Sequence, residues 1–192
     1  MTPQQAQQII ILLESKGVAV ANGLTNKEIF EIETKFNFKF PPDLKVILQQ
    51  GLPSGDNFPD WRQALSDQLM AREIIEWLDQ PFRGILFDIE HNDYWNETWE
   101  PRTGDLKENL EIAKRHFKYY SKLIPIFAHR YISSEPNEEG NPVYSVHQTD
   151  IIYYGYDLPT YFANEFHFAL PETFNIPEQP KRIISFWSEL TE

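Results

Sequence analysis

Asp88, Glu90, His91 and Asp93 form the densest group of possible metal ligands in the chain. If Gly84 to Ile89 is a strand, its alternating side chains place Asp88 and Glu90 on one face, and a turn can bring His91 or Asp93 round to them. Two carboxylates and an imidazole suit a divalent ion. No second ligand pair at helical spacing, such as HExxH, stands elsewhere in the chain. With Trp95 and Trp99 the same carboxylates also fit glycan hydrolysis, in which an acid and a base flank a sugar stacked on tryptophan. The separation of the carboxyl groups decides that reaction, and spacing along the chain does not fix it. The plainer reading is structural: acidic strand ends are mostly solvated or paired, and Tyr94, Trp95 and Trp99 would fold the stretch His91 to Glu100 back onto the core. No metal or cofactor is expected.

Asp60, Trp61 and Arg62 are the second notable group. A tryptophan and an arginine beside a helix start are residue types that anchor protein interfaces. They serve equally well as clips, with Trp61 buried and Arg62 bonded to a carboxylate. His129 and Arg130 could form a cationic spot, or one satisfies loop carbonyls while the other pairs with a carboxylate. Ser145 and His147 are strand neighbours on one face. No glycine-rich phosphate loop, nucleophile elbow or Cys–His arrangement is present.

The chain of 192 residues suffices for one domain that buries about 70% of its unfolded surface. Aromatic residues at 15% favour a packed globule over disorder. Lys and Arg number 17 against 29 Asp and Glu, a net charge of −12 that repels nucleic-acid phosphates and anionic membranes and favours a basic partner. Without cysteine there is no disulfide framework, thiolate nucleophile or cysteine zinc site, which fits a reducing compartment. The longest aliphatic run, Ile9 to Leu13, is far short of the roughly 20 residues of a membrane span. The start MTPQQAQQ lacks the basic residues of a secretion signal. These features give the expectation of a soluble, cytoplasmic protein.

The element pattern centres on Leu123 to Phe166. Leu123 to Ile132 and Pro142 to His147 are rich in β-branched and aromatic residues and read as an antiparallel pair, with Asp150 to Tyr154 as a third strand after two residues. Tyr161, Phe162, Phe166 and Ala169 follow as one helical stripe. Earlier, Pro3 to Lys16 reads as a helix and Val18 to Ala21 as a short edge strand. A helix starts at Thr25 with Glu28 three residues on, a capping box, and with Leu24 and Ile29 as a staple. Pro41 and Pro42 interrupt it, and a short helix runs from Asp43 to Gly51. Phe58 to Arg62 opens a longer helix that carries Leu65, Leu69, Ile74, Trp77 and Leu78 and stops before Pro81. Asp105 to Tyr120 is a further helix, and the tail closes with a helix holding Ile183, Ile184, Phe186, Trp187 and Leu190. The whole predicts an α+β fold, a twisted and mainly antiparallel sheet with helices chiefly on one side.

The segment LTNKEIFEIETKFNFKFPPDLKVILQQG, with Leu24, Thr25, Phe40, Pro41, Pro42, Leu48 and Gly51, resembles the SUKH superfamily of immunity and cell-wall-assembly-regulator proteins. Many members have asparagine before that glycine, where Gln50 stands here. LIPI, HRYI, GNPVYSV, TDIIYYG and NEF look like the strand core of one bacterial branch, and FPDWR with GILFDIE to WNETW looks like an insert of that branch at about 53–104. The resemblance implies one SUKH-like domain over 1–192 and a non-catalytic immunity protein that sequesters a basic toxin domain. Asp60, Trp61, Arg62, Asp88, Glu90, Asp93, Trp95, Glu97 and Trp99 are the expected partner-binding residues, an acidic face with aromatic anchors. The alternatives are a regulatory scaffold of the cell-wall-assembly type and an enzyme acting on glycans.

Overall fold

The computed structural model describes residues 1–191 and has the expected α+β composition. Helix α1, Pro3–Ser15, is opened by a capping box of Thr2 and Gln5 and buries Ala6, Ile9, Ile10 and Leu13. Strand β1, Ala19–Ala21, pairs antiparallel with β2, Leu52–Ser54. Between them lie α2, Asn26–Phe36, and α3, Pro42–Gln50. The capping box at the start of α2 has the geometry its sequence predicts: Glu28 N–H donates to Thr25 Oγ1 at 3.2 Å, and Thr25 N–H donates to Glu28 Oε2 at 2.7 Å.

The four-stranded sheet is a meander of neighbours in chain order: β3 Leu123–Phe127, β4 Arg130–Ser133, β5 Val143–His147 and β6 Asp150–Gly155. All three pairings are antiparallel. Leu123 to Ile132 is therefore not one strand but a hairpin, turned at Ala128 and His129. Ala128 there takes φ 46°, and Gln148 takes φ 59° in the matching turn between β5 and β6. Neither residue is a glycine or asparagine, so neither turn announces itself in the sequence.

Short helix α4, Gln63–Ser66, is followed by α5, Gln68–His91, and α6, Leu106–Phe117, precedes the sheet. Helix α5 overturns two expectations. It does not begin near Phe58 but at Asp67, whose carboxylate accepts from the N–H groups of Leu69 and Met70, and Leu69 is 68% exposed. Nor does it stop before Pro81, and Gly84 to Ile89 is helix rather than strand. Ile74, Leu78, Pro81, Ile85, Asp88 and Ile89 make one buried stripe with helical spacing. Pro81 removes the N–H that would bond the Trp77 carbonyl, and the Tyr131 hydroxyl reaches that carbonyl at 3.2 Å.

The apolar interior forms two clusters on opposite sides of the sheet. On one side α1, α2, α3, the first half of α5 and α7, Leu158–Phe166, pack against Ile124, Ile126, Ile132 and Val143. On the other, Ile85 and Ile89 of α5, Ile112 and Ala113 of α6, and Ile184, Phe186 and Trp187 of the tail cover Tyr131, Tyr144, Val146 and Ile151. Most helices lie on the first side, and the second half of α5, α6 and the tail supply the second. Among the described residues the tail holds a single 3-10 turn at Ser188–Leu190 instead of the expected helix. Phe186 at φ 69° breaks the helical path, and Ile183 is 81% exposed. Helix α7 ends at Phe166 with His167 left-handed, so Ala169 lies beyond it.

Helix α5 binds the sheet by crossing its turn end. The Trp77 indole N–H donates to the Ala128 carbonyl at 2.8 Å in the first turn, and Gly84 sits against the second. A Cβ on Gly84 would fall 2.8 Å from the Gln148 Cα, a contact with backbone. Gly84→Ala is expected to lower stability by about 1–3 kcal/mol, measured as a shift in the urea unfolding midpoint. An unchanged midpoint would mean that helix and turn are free to move apart.

Candidate functional site

A groove of about 680 Å³ lies between the paired strands β1 and β2, the turn at Gly55 and the first half of α5. Asp60 and Arg62 line it, while Trp61 between them points into the core. Asp60 Oδ1 accepts from Gln63 N–H at 2.9 Å, which starts the turn into α4. Trp61 is buried in an edge-to-face cluster with Phe36, Phe38 and Phe40, at centroid distances of 5.9, 5.6 and 5.3 Å. Arg62 is spent on the fold: Nε donates to Glu28 Oε1 at 2.5 Å, Nη1 to the Asn22 carbonyl at 2.9 Å and Nη2 to the Gly23 carbonyl at 2.8 Å. The Arg62 hydrogen bond and the Thr25 backbone N–H hold the Glu28 carboxyl down from 4.5 to about 2. Trp61 and Arg62 thus act as clips. What faces the groove is different: Asp56, Asp60 and Glu73 as carboxylates, and Phe58, Met70 and Trp77 as apolar and aromatic wall.

The expected insert cluster does not assemble. Asp88 and Glu90, two apart on a helix, point to different sides, and the face they would share on a strand does not exist. Asp88 is buried, and its carboxylate accepts from Thr149 N–H at 2.8 Å, Thr149 Oγ1 at 2.6 Å and Asn92 Nδ2 at 2.6 Å. It ties α5 to the β5–β6 turn. Glu90 is exposed with His91 Nε2 3.7 Å away. Asp93 is 96% exposed and meets Arg102 at 3.1 Å. Among the described residues no three His, Asp or Glu side chains converge as a metal would need. Trp99 is buried, donates its indole N–H to the Tyr120 hydroxyl at 2.7 Å and lies parallel to the rings of His116 and Phe186. Half-buried Trp95 donates to the Glu100 carbonyl at 3.1 Å and meets Trp99 edge to face. Glu97 is exposed. Of the nine residues expected at a partner face, Trp61, Asp88 and Trp99 hold the core together, and Arg62 is consumed beside them. Asp60 belongs to the groove, while Glu90, Asp93, Trp95 and Glu97 lie at the far end of α5. Glu73 and Glu90 are 17 positions apart on that helix, roughly 25 Å at 1.5 Å per residue, so the two groups do not form one face.

Arg130 is likewise satisfied internally. Its Nε donates to Glu165 Oε2 at 2.8 Å, its Nη1 to Ser145 Oγ at 2.8 Å, and its guanidinium lies 3.7 Å from the Tyr154 ring centroid. His129 is exposed, and partial burial followed by the neighbouring Arg130 charge lowers its pKa. Met70, Glu73 and Trp77 share one face of α5 at spacings of three and four, whereas Asp56 and Phe58 come from the loop after β2, and no spacing rule joins that loop to the helix.

No family model, no curated protein and no solved structure matches this chain. Among the described residues no helix is long and apolar enough to cross a membrane.

Replacing Asp88 with alanine strands the Thr149 N–H and hydroxyl in the interior and is expected to cost about 1–3 kcal/mol of stability, measured by chemical denaturation. A neutral result would contradict its structural role. The Glu28–Arg62 pair carries a pH signature. Because the folded carboxyl titrates below its ordinary 4.5, its contribution is complete above that value and is lost as pH falls toward about 2. The stability gap between wild type and Glu28→Gln should therefore be constant near neutrality and close through that acidic window. A gap that does not vary with pH there would rule the pair out as its source.

Proposed function

We propose that this chain is a non-catalytic binding protein, a cytoplasmic bacterial immunity protein that neutralises a basic toxin domain by covering its working surface, with the groove as the docking site. One observation carries the reading. Asp56, Asp60 and Glu73 stand around a hollow lined by Phe58, Met70 and Trp77, while Arg62, the one cation among the lining residues, is already neutralised by Glu28. Charge of one sign, left uncompensated on apolar walls, suits a cationic protein surface. The walls lower the local dielectric and concentrate the field. The overall charge of −12 steers a basic domain toward it. The SUKH-like motifs in Leu24 to Gly51 and in the strand core point the same way.

Occlusion needs no reactive group on this chain. A toxin such as a nuclease keeps a cationic substrate-binding surface, and an acidic partner seated there excludes nucleic acid by charge and bulk. Co-expression with the effector encoded beside this gene should restore growth, and the two proteins should co-elute on gel filtration, with association slowing as salt is raised. Unrelieved toxicity together with separate elution would reject the reading.

A further inference from the structure

Resting on that reading, we propose that the groove is an arginine-docking site, in which a guanidinium of the partner lies against Trp77 and Phe58 and is bonded by the carboxylates of Asp56, Asp60 and Glu73. The chemistry of the lining selects guanidinium over ammonium. An ammonium is a compact, strongly hydrated charge that loses its water at a cost when placed on apolar walls. A guanidinium is planar and weakly hydrated, stacks on aromatic faces and bonds carboxylates in pairs. The groove offers both kinds of contact at once. Trp77 is half-buried, and its indole N–H is fixed on the Ala128 carbonyl at 2.8 Å, so its ring is held in place before a ligand arrives. Asp60 is fixed by Gln63 N–H.

The protein's own arginine gives the second argument. Arg62 lies at the groove wall but cannot act as its counter-ion, because Glu28 takes its Nε–H and the Asn22 and Gly23 carbonyls take further donors. Three carboxylates remain for one incoming cation. A volume of about 680 Å³ leaves room for the neighbours of the docked residue, so the natural occupant is an arginine within a chain segment rather than a free small cation.

The test uses the full chain and capped tri-arginine, tri-lysine and tri-glutamate peptides, with calorimetric and tryptophan-fluorescence titration at low salt. Tri-arginine should bind best, tri-lysine about tenfold more weakly and tri-glutamate not at all. Asp56→Asn and Glu73→Gln, both at exposed positions, should each weaken tri-arginine binding about tenfold, while Glu178→Gln in the tail should change nothing. Equal binding of tri-arginine and tri-lysine, or binding indifferent to Asp56→Asn and Glu73→Gln, would overturn the assignment. The two proposals fail separately. Groove binding of tri-arginine without toxin neutralisation would reject the immunity reading alone. Neutralisation that survives Asp56→Asn combined with Glu73→Gln would reject the groove alone.

Discussion

One buried carboxylate and one proline-bearing helix hold this molecule together. Among the described residues helix α5 is the only helix shared by both apolar clusters, and it reaches both because it continues through Pro81. That continuation depends on tertiary partners. Tyr131 meets the carbonyl that proline leaves free, Gly84 permits backbone contact with the β5–β6 turn, and Asp88 bonds Thr149 across the same junction. With α5 so fixed, its first half becomes one wall of the groove and its second half leads into the stretch His91 to Glu100.

The electrostatic character follows from where the cations go. Arg62, Arg115 and Arg130 are each directed at a carboxylate of the same chain, Glu28, Glu100 and Glu165. Lys35 and Lys122 donate instead to main-chain carbonyls, Lys35 to Ala64 and Lys122 to Phe36 and Asn37. These interactions satisfy helix ends and turns that would otherwise hold bare acceptors. Among the described residues Asp56, Asp60 and Glu73 form no ion pair, and this imbalance, more than the total of −12, distinguishes the groove.

Local rules made part of this legible. Thr25 with Glu28, Pro41 with Pro42, and the β-branched run Asp150 to Tyr154 each state their conformation within a few residues, and the structure follows them. Where the reading failed, a distant residue decided the outcome. Pro81 looks like a helix stop until Tyr131 supplies the missing bond, and the strand-like Gly84 to Ile89 is helical with Ile85 and Ile89, four apart, buried in the second cluster. Once that segment is helix, the supposed ligand face of Asp88 and Glu90 disappears. Trp61 and Arg62 were legible as residues that matter, and their plainer role as clips prevailed. Asp56 and Glu73 carried no signal, since only the fold sets the loop after β2 beside the first half of α5.

The position of α5 across the turn end of the sheet has a kinetic side. Trp77 lacks its Ala128 acceptor until the first turn closes, and Asp88 lacks its two Thr149 donors until the second closes. Both hairpins join strands that are neighbours in the chain, so their closure involves short loops and little lost chain freedom. The meander can thus form from local contacts before the long helix docks, and the groove, one wall of which is that helix, needs that docking to be complete.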